Sequence, residues 1–209
     1  MTAQRAQHFG AVLMLFALGL PAEVSAGREP VVREALPAEW TRFVPDGQIV
    51  IAQARADLDL DGREDVLLVL EADREETKGN EPDDGPRRLL ILRRDASGAL
   101  QLAKQSKQAV LCRQCGGVMG DPFESVEAKK GSFTITHYGG SAWRWASRYQ
   151  FNYSRRDQTW QLVYAEETSF HAGDPEKTEK QSVARPPKQF GKIAIDEFDP
   201  YDYRGKGAR

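Results

Sequence analysis

The sequence predicts a mainly β domain: an antiparallel meander of about eight strands, sandwich-like or partial-propeller-like, with an acidic loop between two of them. Three observations carry this. Val66 to Leu70 (VLLVL) and Leu89 to Leu92 (LLIL) are short apolar runs without a polar break, the mark of strands buried on both faces. From Ser132 to Tyr164 apolar and polar residues alternate with period 2. Glycine- and aspartate-rich turns separate these runs, and there is no repeat at a fixed period of the kind a full propeller needs.

Taken in order, the chain opens with Arg5 in a short polar lead and an apolar run from Phe9 to Leu20. Pro21 and the small-residue site Val24-Ser25-Ala26 follow. The run is too short to span a bilayer, and residues 1–26 read as a secretory signal peptide, which places the protein outside the cell or in the periplasm. No cysteine follows the run, so a bacterial lipid anchor is not indicated, and no later segment is apolar enough to cross a membrane. Residues 27–46 read as a leader, polar and proline-punctuated from Gly27 to Glu39, either loose or a short helix from Pro37. Residues 47–172 form the β domain.

Within the domain, Gln48 to Ala56 and Val66 to Leu70 flank the acidic stretch. Residues 72–88 read as a charged loop, and Asp95-Ala-Ser-Gly98 as the turn of a hairpin over Leu89 to Leu102. Phe133, Ile135 and His137 alternate with Thr134, Thr136 and Tyr138 before Gly139-Gly140-Ser141 permits a tight reversal. Trp143, Trp145, Tyr149, Phe151 and Tyr153 then take odd positions, while Arg144, Arg148, Gln150 and Asn152 take even ones. A turn at Arg156 to Gln158 leads to Trp160, Leu162 and Tyr164, completing a three-stranded meander. Residues 173–209 read as a polar tail with one edge strand near Ile193 to Ile195. Its cations (Lys177, Lys180, Arg185, Lys188, Lys192) are offset by Glu176, Glu179, Asp196, Glu197 and Asp199, as on a solvated surface. The formal net charge is −2, which offers no broad attraction to nucleic acid.

The stretch ADLDLDGREDVLLVL, residues 56–70, holds the strongest chemical signal. Asp57, Asp59, Asp61 and Asp65 stand at positions 1, 3, 5 and 9 of a loop, with Gly62 at position 6. Calcium takes six to eight oxygens at about 2.3–2.6 Å, and alternate aspartates on a coiled loop, with the Arg63 backbone carbonyl, can supply several. Without a cation, two carboxylates about 5 Å apart repel by about 3 kcal/mol at an effective dielectric near 20. Position 12 is Leu68, not the bidentate glutamate of an EF-hand, and an apolar strand replaces the second helix. The pattern Asp-x-Asp-x-Asp-Gly-x-x-Asp before an apolar strand resembles the calcium loop of FG-GAP/VCBS-type repeats. That resemblance, a single copy within residues 56–70, implies calcium held by Asp57, Asp59, Asp61 and Asp65 with the Arg63 carbonyl. Separately, CRQCGG, GDPF and HYGGSAWRW resemble a set of uncharacterised exported bacterial proteins, which implies export and a mainly β fold but no activity.

Cys112 and Cys115 are the two cysteines. In an oxidising compartment a local disulfide is the plain expectation. A redox-active C-x-x-C, a zinc pair completed by His137 and His171, and free thiols are the alternatives. Tyr138, Trp143, Trp145 and Tyr149, with Arg144 and Arg148, form either a ligand surface or, for the odd-numbered aromatics, a core face. Catalytic constellations are weak: His137 near Ser141 lacks a G-x-S-x-G context, and Glu124 with Glu127 is a pairing any strand could offer. The expected function is an exported, calcium-stabilised binding module for a polysaccharide or protein. A small calcium-dependent hydrolase using His137 comes second and a thiol oxidoreductase third.

Overall fold

A computed structural model describes residues 36–73 and 87–204. The signal-peptide reading, residues 27–35 of the leader and the charged loop at 74–86 lie outside the described residues.

The chain is mainly β. Nine antiparallel strands among the described residues form two sheets without a closed barrel, as in a β sandwich. The first sheet is a meander of β1 (Gln48–Ala56), β2 (Asp65–Ala72), β3 (Arg88–Arg94) and β4 (Leu100–Ser106). The second is β5 (Phe123–Lys129), β6 (Ser132–Gly140), β7 (Trp143–Ser154), β8 (Thr159–His171) and β9 (Lys180–Ala184), also in sequence order.

The apolar runs behave as expected of strands covered on both faces. Leu67 and Val69 of β2 and Leu89 and Ile91 of β3 enter the main core, against Phe133, Ile135, Phe151 and Leu162 of the second sheet. The alternate residues Val66, Leu68, Leu70, Leu90 and Leu92 face the other way, where Trp40 covers them. Trp40 sits on α1 (Ala38–Thr41), so of the loose leader and the short helix from Pro37 the chain takes the helix. On the second sheet the period-2 pattern puts Tyr149 and Phe151 in the core and turns Arg148 and Asn152 to solvent.

The segment read as a polar tail makes a different contribution. Phe190, Ile193, Ile195, Phe198 and Tyr203 all enter the main core. Phe198 packs its ring 4.9 Å from Tyr149 and 5.1 Å from Phe151. The polar residues between them hide the apolar content because the segment has no period to reveal it. The expected edge strand near 193–195 is reduced to one bridge, Gln161 to Ala194, and the edge strand proper is β9.

Candidate functional site

The acidic loop connects β1 to β2, closing where Ala56 pairs with Asp65. Its backbone is pinned from the second sheet. Gly131 N–H donates to the Asp57 carbonyl at 2.7 Å, and Trp160 Nε1–H to the Leu58 carbonyl at 2.9 Å. Leu58 anchors the loop in the core, and Gly62 takes the left-handed turn at φ +91° that glycine tolerates without strain. Asp61 N–H donates to Asp57 Oδ1 at 3.0 Å and to Asp59 Oδ1 at 3.1 Å, coiling the loop round its own carboxylates.

The result brings together Asp57, Asp59 and Asp61: one oxygen of each lies within 4.8 Å of the others. Asp59 is buried, while Asp57 and Asp61 are partly exposed. Two oxygens that share one calcium at about 2.3–2.6 Å can stand at most about 5 Å apart, so the triad has the right span. Side-chain cations also reach these carboxylates. Arg93 pairs with Asp59 through a close contact that is not aligned as a hydrogen bond, Arg63 pairs with Asp61, and Lys130 Nζ stands 3.8 Å from Asp57.

The structure places Asp65 elsewhere. Its Oδ1 accepts the Arg94 N–H at 2.9 Å, and its Oδ2 the N–H groups of Leu58 at 2.9 Å and Asp59 at 3.3 Å. Asp65 ties the loop to β3, and burial pushes its carboxyl above the ordinary aspartate range despite those bonds. The Arg63 side chain reaches the Arg94 carbonyl at 2.8 Å.

Sequence reasoning missed a second charged cluster. The buried guanidinium of Arg87 bonds Glu71 Oε2 (3.1 and 2.6 Å), both Asp121 oxygens (2.7 Å each) and the Leu111 carbonyl (3.3 Å). It therefore ties the first sheet to the segment entering β5. Nearby, His137 is 0% exposed. Its Nε2 accepts the Leu111 N–H at 3.2 Å and its Nδ1 stands 3.4 Å from Ser147 Oγ, so the neutral Nδ1–H tautomer suits both partners. Burial, with the Arg87 charge adding to it, lowers its pKa to about 4. Ser141 is exposed at the hairpin tip and is not hydrogen-bonded to His137, while Glu124 and Glu127 face solvent. The His137–Ser141 pairing weighed from sequence is not formed.

Cys112 and Cys115 stand at disulfide distance, with S–S 2.16 Å and Cα atoms 5.1 Å apart. The turn they staple packs on the β6–β7 hairpin, where Gly140 N–H donates to the Gly116 carbonyl at 2.8 Å.

The five candidate surface residues divide between two faces. Tyr138, Arg144 and Arg148 occupy the outer face of the second sheet, by register with Ala146, Gly140 and Thr136. Trp143 and Trp145 lie on the inner face, beyond the end of the core. Trp143 is 54% exposed, with its ring 5.3 Å from that of His171. Trp145 lines a cavity of about 640 Å³. A smaller cavity of about 310 Å³ lies beside Arg63, Arg93 and Arg94.

Comparison with family models, curated proteins and solved structures finds no match to this chain. Among the described residues no helix is long and apolar enough to cross a membrane.

Proposed function

We propose that this is an exported β domain, stapled by calcium at the acidic loop, that works by binding a ligand. The observation that carries the reading is the convergence of Asp57, Asp59 and Asp61 within 4.8 Å on a loop clamped from both sheets. The Arg63 carbonyl would be a further donor. Calcium would take over from the side chains of Arg63 and Arg93 in neutralising these carboxylates. Such an ion links β1, β2 and, through the Gly131 and Trp160 bonds, the second sheet, so it acts on the stability of the whole domain. Export follows from the apolar run at 9–20 and agrees with a paired C-x-x-C. The likeness to FG-GAP/VCBS loops supports calcium over magnesium, because many-oxygen flexible loops suit the larger ion.

Binding is preferred to hydrolysis because His137 is buried and committed to a backbone N–H and Ser147. The test is a thermal melt with calcium against chelator, on the native chain and on Asp59→Asn. The native melting temperature rises with calcium, and the variant loses most of that response. An equal response in both would remove the loop as the site.

A further inference from the structure

We infer that the inner face of β7, β8 and β9, past the end of the aromatic core, is a binding groove for a neutral oligosaccharide. The inference rests on the binding-module reading above and names its site and ligand class.

Two cross-strand rungs make the floor. Trp145 pairs with Ser169 and Ser169 with Lys180, while Ser147 pairs with Glu167 and Glu167 with Ser182. The C-terminal segment forms a wall with Tyr201, Tyr203 and Arg204, and the open cavity between measures about 640 Å³, within the range of small-ligand sites. Trp145 packs closely on Gly139, where an added Cβ would fall 2.6 Å from its Cζ2. On the rim, Tyr201 is 75% exposed. Two aromatic faces thus stand ready for the C–H faces of sugar rings.

The polar groups suit hydroxyls. Glu167 is fixed by the Tyr203 hydroxyl at 2.9 Å and by Arg204 Nη2 at 2.8 Å, and Arg204 also reaches Ser182 Oγ at 3.1 Å. A carboxylate set in this way accepts hydroxyl donors without reorganising. Backbone groups of β7 and β8 on the floor are taken up by the ladders, so an extended peptide is limited to the outer edge of β9. Charge argues against an anionic ligand: Lys180 and Arg204 are balanced by Glu167 and Asp202.

The probes are cellohexaose, mannohexaose, xylohexaose and chitohexaose, titrated into the native chain by calorimetry and tryptophan fluorescence. At least one binds saturably. Tyr201→Ala weakens that binding about tenfold, the loss of one aromatic contact. Lys180→Ala also weakens it, and Tyr164→Ala, on the opposite face of the sheet, leaves it unchanged. Tyr201 and Lys180 are exposed, so these variants keep the fold. Absence of saturable binding by all four hexasaccharides at millimolar concentration overturns the assignment. So does binding that Tyr201→Ala and Lys180→Ala leave intact, or a peptide that occupies the groove in place of the sugars. A chain that responds to calcium but binds none of the four loses the groove alone. One that binds a hexasaccharide but ignores calcium loses the calcium staple alone.

Discussion

Replacing Arg87 with leucine removes the buried cation that bonds both Glu71 and Asp121. In the native chain that guanidinium is 2% exposed and makes five hydrogen bonds, four to carboxylate oxygens and one to the Leu111 carbonyl. Burial alone raises the Asp121 carboxyl, but the Arg87 bonds outweigh it and the net direction is down. A lowered carboxyl adds stability above its unfolded pKa and loses it as the pH falls below. Without Arg87 both carboxylates face each other in a partly buried site, where Glu71 keeps Arg113 at 3.3 Å and Asp121 keeps only the Phe123 N–H at 3.0 Å as a direct partner. Breaking a buried ion pair from one side costs about 3–5 kcal/mol. For a chain of this length that lowers the melting temperature by about 6–20 °C. Calorimetry and urea unfolding at neutral pH measure it. Replacing all three residues with leucine should recover most of the loss, because the unpaired charges go too. A loss under about 1 kcal/mol for Arg87→Leu, the scale of an exposed pair, would refute the claim that this cluster ties the sheets together.

Two further predictions concern the same region. His137 titrates at about 4 when folded and near 6.5 otherwise, so its contribution is complete above 6.5 and declines as the pH falls towards 4. The decline is about 3 kcal/mol, read as the difference in acid sensitivity between the native chain and His137→Gln, and identical acid sensitivity would contradict it. Gly139→Ala drives a methyl to 2.6 Å from Trp145 Cζ2 and 2.9 Å from Gly116 Cα, and should cost about 1–3 kcal/mol in urea unfolding. Gly98→Ala meets no atom within 4 Å and bears only the strain of φ +88°, about 1 kcal/mol; the reverse ranking would be wrong for this packing.

Local features of the fold were legible in the sequence, and long-range ones were not. VLLVL and LLIL announced strands covered twice because nothing in them could face water. The β6–β8 meander was readable from its period, and the convergence of Asp57, Asp59 and Asp61 from their spacing and Gly62. Asp65 fits the same spacing, yet three backbone N–H groups claim it, one of them from Arg94, 29 residues away. The Arg87 cluster was invisible because Glu71 and Asp121 lie 16 and 34 residues from it. Phe190, Ile193, Ile195, Phe198 and Tyr203 were hidden by irregular spacing among polar neighbours. Trp143 and Trp145 share the face of Tyr149 and Phe151, but β7 outruns the core, and only the tail's path shows where coverage stops.

Calcium at the acidic loop is the central claim. Titration calorimetry of calcium into the chelator-treated chain tests it directly. One site is expected, with a dissociation constant of about 10⁻⁴–10⁻³ M, the range of extracellular modules. At tenfold excess over that constant the ion adds about 1.4 kcal/mol to the stability of the domain. No heat on titration and an unchanged melting temperature would mean that Arg63, Arg93 and Lys130 alone neutralise the three aspartates, and the calcium reading would be wrong.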